Sequence, residues 1–146
     1  MQFALEDVDP GPPPELLWSP GSRRLAVTWS DGGLVGSWHV AIYDLTGDQP
    51  PMLDIAPLLD GPRRRFPVCR EPEIANAGAI AWLDGGAALL VAIEAPPHSS
   101  CSNMGDVLGL RVSLEDLTVL EEVSQAALLA NWRGDLGPEV LNAGHP

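Results

Sequence analysis

The sequence contains no lysine. All eight basic residues are arginine, against twenty aspartates and glutamates, for a formal net charge of −12. A surface that gripped phosphate would need the opposite sign, so nucleic acid and anionic membranes are not expected as partners. An acidic surface instead accelerates the approach of basic ones. Cysteine is scarce too: Cys69 and Cys101 are the only two. Cys69, His98, Cys101 and His145 offer no closely spaced cysteine pair of the kind a zinc site commonly uses, so no metal is expected. Long apolar runs are missing, and no stretch approaches the roughly eighteen residues of a membrane span. The N-terminus MQFALEDVDPG is neither basic nor followed by an apolar run, so no secretory signal is read there. The expected compartment is the cytoplasm, with both thiols reduced; a Cys69–Cys101 disulfide would matter only in an oxidising one. A phosphate-cradling loop, a dinucleotide fingerprint, a nucleophile elbow and HExxH are all lacking, and no cofactor is expected.

What is present is a pattern of short apolar runs separated by turns. The length suits one domain, 1–146, and the fifteen glycines and fifteen prolines fall between the runs. In LLWSPGSRRLAVTW, Ser-Pro-Gly-Ser suits a tight turn between two strands, with proline fixing φ and glycine accepting positive φ. Leu25, Val27 and Trp29 then alternate with Ala26 and Thr28. WHVAIYDL is apolar on both faces and is read as a buried central strand. MLDIAPLL is a weaker strand cut by Pro57. DGPRRRFPVCREPEIANAG is read as an exposed connection. AIAWLDGGAALLVAIE, VLGLRVSL and LTVLEEV follow as strands. SQAALLANWRGDLGP closes the chain as a short helix with Ser124 as its cap and Gly134 at its end.

The two halves read as one unit written twice, with Trp82 at the place of Trp18. The spans are 15–56 and 78–122, joined by a Pro/Arg-rich connection at 57–77 and followed by the helix at 123–134. LLWSPGSRRLAVTWSDGG with WHVAIYDLTGD resembles a blade of the TolB-like β-propeller family. The second half matches that pattern in outline, with Leu-Asp-Gly-Gly after Trp82. The expected fold class is therefore mainly β: two four-stranded antiparallel blade-like sheets, an incomplete propeller, with a short C-terminal helix. Closed propellers need four to eight blades, so the open edges must be covered by other means.

Four groups of residues invite a functional reading. His98-Ser-Ser-Cys101 places an imidazole near a thiol, and a Cys101-dependent enzyme with His98 as base is one alternative. The simpler reading has Ser99, Ser100 and Asn103 bonding to the loop backbone, with Cys101 tucked inward. Arg63, Arg64 and Arg65 could grip an anion, or answer the chain's own carboxylates. Asp31-Gly-Gly and Asp84-Gly-Gly lack the ligand run of a calcium loop and are read as turns. Trp18, Trp38 and Trp82 are read as core, and Trp29 and Trp132 as possible interface anchors. The function expected is a non-enzymatic protein-binding module for a basic partner, similar in character to acidic immunity proteins that neutralise bacterial toxins. Asp31 and Trp29, with His98, Ser99, Ser100, Asn103 and Asp106, would supply the contact surface. A half-propeller that oligomerises to form a ligand site is a further alternative.

Overall fold

Ser19-Pro20-Gly21-Ser22 writes the first hairpin. Ser22 N–H donates to the Ser19 carbonyl at 2.9 Å, and Gly21 takes φ 81°. That is the type II arrangement, with proline at the second position and glycine at the third. The turn joins β1 (Glu15–Trp18) to β2 (Arg24–Ser30). β3 (Trp38–Asp44) and the short β4 (Met52–Leu53) complete an antiparallel sheet in the order β1-β2-β3-β4. The second sheet repeats this meander with β5 (Asn76–Leu83), β6 (Ala88–Glu94), β7 (Val107–Ser113) and β8 (Thr118–Val123). The computed structural model describes residues 13–31, 37–47, 51–67, 74–95, 102 and 105–136. The protein is thus mainly β, two four-stranded antiparallel sheets with two short helices and no closed barrel, in the fold class the sequence implies.

The sheets pack face to face. Leu17, Ala26, Ile42 and Leu53 run across the first sheet in one row and meet Leu89, Val91, Ile93 and Val112 of the second. Polar pins fix the offset: Trp82 Nε1 donates to the Leu17 carbonyl at 2.9 Å, and Ala79 N–H to Thr28 Oγ1 at 3.0 Å. Arg24 reaches across to the Gly86 carbonyl at 3.0 Å while holding Asp44 at 3.2 Å. The far face of the second sheet is covered by α2 (Gln125–Trp132), whose Leu128 packs with Leu90, Ala92 and Val107. Ser124 caps that helix, accepting from Ala127 N–H at 3.2 Å. Strand β6 is therefore apolar on both faces and buried along almost its whole length.

Three expectations are corrected. The connection after β4 is not merely exposed: Ala56–Arg65 forms a helix, α1, that buries Leu59 and Arg63. Its sequence APLLDGPRRR hides this, because Gly61 and Pro62 lower helix propensity. Burial of Leu59 against Ile55, with three arginines in the last turn against the helix dipole, favours it nonetheless. Buried centrality belongs to β6 more than to β3, which is largely half-buried. Trp18 is not core: it lies on the outer face of the first sheet, 49% exposed. Trp82, its counterpart, does face the core, its indole donating across to the first sheet, because the front of one sheet packs on the back of the other.

Candidate functional site

The strand ends that flank the loops after β2 and β6 lie at one end of the molecule. Trp38 N–H donates to Asn76 Oδ1 at 3.0 Å, Asn76 pairs with Glu94, and Glu94 pairs with Val107. Helix α1 closes over the same end. Most of the two loops falls outside the described residues, including His98, Ser99, Ser100, Cys101 and Asn103; Cys69 falls outside them as well.

Asp31 is described, and it works internally. Its Oδ1 accepts from Ser37 N–H at 2.9 Å, and its Oδ2 faces His39 Nε2 at 2.8 Å. The other ring nitrogen of His39 meets Arg63 Nη1 at 3.3 Å. A guanidinium only donates, so Nδ1 accepts and the Nε2 proton points at Asp31. The His39 hydrogen bond holds the Asp31 carboxyl below its ordinary value, with burial opposing it and Ser37 N–H adding to it. Trp29 stacks at a tilt on the same imidazole, with ring centroids 4.9 Å apart. Arg63 is buried and saturated: Nε donates to the Ala75 carbonyl at 2.8 Å and Nη2 to the Trp38 carbonyl at 3.2 Å. Burial lowers its pKa, and the charges of Asp60 and Asp31 oppose that shift. Arg63 is thus a strut between α1 and both sheets, and the anion-gripping role expected of it is withdrawn.

The other arginines of the run diverge. Arg64 is exposed, and Arg65 reaches Glu122 at 3.1 Å. That ion pair lies in a cleft of about 390 Å³ between the end of α1 and the start of β7. Phe66, Pro67 and Leu108 supply its apolar surface, and Asp106, Glu122, Arg65 and Gln125 its polar groups. Gln125 Oε1 accepts from Val107 N–H at 3.2 Å, so the amide is held at the lip. The fold therefore brings together Arg65 and Asp106, two candidates far apart in the chain. Phe66, Glu122 and Gln125 were not legible as companions, since only the docking of α1 beside β7 and β8 assembles them.

Comparison with family models, with curated proteins and with solved structures gave no match. The chemistry of the site must be read from its own groups. Among the described residues no cluster of His, Cys, Asp and Glu is arranged to hold a metal ion. His39 has both ring nitrogens engaged. Several arginines answer groups of the chain itself: Arg24 pairs with Asp44 and Gly86, Arg63 with backbone carbonyls, Arg65 with Glu122, and Arg111 with Asp84 and Glu121. With two carboxylates to one guanidinium over an apolar floor, the cleft suits a cationic side chain with an aliphatic stem.

Proposed function

We propose that this protein is a non-enzymatic binding module that occludes a basic protein partner, in the manner of an acidic immunity or inhibitor protein. The observation that carries this reading is the cleft at the loop end. It offers Asp106 and Glu122 beside Phe66 and Leu108, on a chain of net charge −12. An arginine or lysine of the partner would lay its stem on Phe66 and its charge between the carboxylates, displacing Arg65 from Glu122. Desolvated pairing of this kind slows dissociation, while the remaining surface carboxylates accelerate encounter. Steric cover of the partner's basic cleft then needs no chemistry from this chain.

The role of Asp31 changes in this account. It anchors Ser37 and His39, so reversing its charge disturbs the fold of the loop as well as any contact. Asp106 and Glu122 are the cleaner probes, because both are exposed. Affinity capture from the source organism with the unmodified chain should recover a basic protein in stoichiometric amount. The Asp106→Lys/Glu122→Lys variant, checked for native circular dichroism, should lose it. A captured protein that is retained equally by the variant would overturn the assignment of the cleft.

A further inference from the structure

The repeat fixes which faces of the two sheets are equivalent. Trp18 pairs with Leu25 across β1 and β2, and at one common offset Trp82 pairs with Leu89 across β5 and β6. Trp82 and Leu89 face the first sheet, whereas Trp18 and Leu25 face away from the second. Conversely, Ala26 lies between the sheets, and its counterpart Leu90 lies under α2. The sheets therefore stack head to tail, the front of the first on the back of the second. Helix α2 covers the front of the second sheet. Among the described residues, no element covers the back of the first.

That back face is apolar. Leu16 is 58% exposed, Met52 57%, Trp18 49% and Trp29 40%. Leu25, Val27 and Tyr43 fill the rows between them. None of the strand residues on this face is Asp, Glu or Arg. Scattered apolar residues on a surface need no explanation, but a contiguous sheet face of this kind marks an interaction site.

We propose that this face docks a second copy of the chain, sheet against sheet about a two-fold axis. Its scarcity of charge selects the occupant. A basic partner finds one carboxylate at its edge, Asp31, already engaged by His39 and Ser37, whereas two acidic chains can meet on the Leu16, Trp18 and Met52 rows with no carboxylate between them. The cap selects the symmetry. Head-to-tail addition would need the front of a second sheet, and α2 occupies that face, so between copies of this chain the open face is left to meet its own equivalent. The size sets the strength. Strands of four, seven, seven and two residues, about 4.8 Å apart, give a face below the roughly 800 Å² per partner of a standard interface, so the pairing is one that concentration governs. The same chain already packs sheet on sheet internally, the arrangement the pair would repeat.

Sedimentation velocity between about 1 and 200 μM tests the proposal. The mass should double toward the upper concentration, and the association should tighten with salt, because screening relieves repulsion between two chains of net charge −12. Leu16→Glu/Met52→Glu alters two residues that are more than half exposed, so its circular dichroism should stay native. Its dissociation constant should rise by about 100-fold or more, which at these concentrations leaves a monomer. Acrylamide quenching of tryptophan fluorescence should fall on association in the unmodified chain alone. A monomer throughout overturns the proposal, whether its tryptophans quench freely, as for a face meant for a different protein, or stay shielded, as for one covered by the chain's own residues 1–12. A dimer indifferent to the variant, or one that salt dissociates, overturns it equally. The binding reading of the cleft stands or falls separately, since it concerns another surface and the opposite salt dependence.

Discussion

Arg63 is a case where residue type and role part company. In the sequence it is the first of three arginines among prolines and glycine, a setting that suggests a solvated charge. In the structure it alone of the three is buried, because the helix that carries it sets it between β3 and the start of β5. Nothing local in PRRR distinguishes Arg63 from Arg64; only the carbonyls of Trp38 and Ala75, distant in sequence, do. Arg63→Met would leave those carbonyls and His39 without their charged donor. Hydrogen bonds to charged groups are worth about 1.5–3 kcal/mol, so urea unfolding should show a loss of about 2–3 kcal/mol. Arg64→Met, on the exposed side, should stay within about 0.5 kcal/mol.

Asp31 makes a pH-dependent contribution whose sign follows from its partner. The hydrogen bond from His39 favours the carboxylate in the folded state, so the folded pKa lies below the ordinary value of 3.8. The stabilisation is fully present above that ordinary value and is lost as pH falls through the lowered one. Asp44 behaves in the same way, held chiefly by Thr46 and then by Arg24. Asp31→Asn should therefore have a lower urea midpoint near neutrality and lose less on acidification from about pH 5 to pH 2. Parallel acid profiles for the two proteins would show that the Asp31 contact contributes nothing.

Among the elements, the strands were the most legible, because alternation and turn residues survive in nearly every run. Helix α1 was hidden by Pro57, Gly61 and Pro62, and its stability comes from tertiary burial that propensity does not register. The outward turn of Trp18 was hidden as well, since alternation along a strand does not say which face of its sheet meets the other sheet. The docking of α2 rests on another feature with little local signature. A Cβ on Gly109 would sit 2.9 Å from Val123 Cβ and 3.0 Å from Leu128 Cδ2. Gly109→Ala should therefore force helix and sheet apart and cost about 1–3 kcal/mol. At Gly78 the nearest atom to an added Cβ is Thr28 Cγ2 at 3.8 Å, so Gly78→Ala should be tolerated. Thermal unfolding of the two variants side by side checks both statements.

At the scale of the whole molecule the described residues form a stack of two sheets, covered by α2 at one face and by none of their own elements at the other. Its candidate cleft lies where the loops emerge. The two four-stranded sheets were legible in the sequence, whereas Arg65, read as an anion grip, and Asp106, read as a partner contact, gave no sign of sharing a cleft. Nor could the sequence foretell the cleft's aromatic wall or its second carboxylate, which come from α1 and β8 meeting in space. In the proposed reading acidity is the property that ties these parts together, because a surplus of carboxylates would steer and hold a basic protein only while salt does not screen it. The decisive measurement is titration calorimetry of the captured partner against this chain at about 0.05 M and about 0.5 M salt. The account predicts affinity weakened by about 10-fold or more at the higher salt, and equally weakened at low salt by Asp106→Lys/Glu122→Lys. Affinity that holds or rises with salt would contradict it.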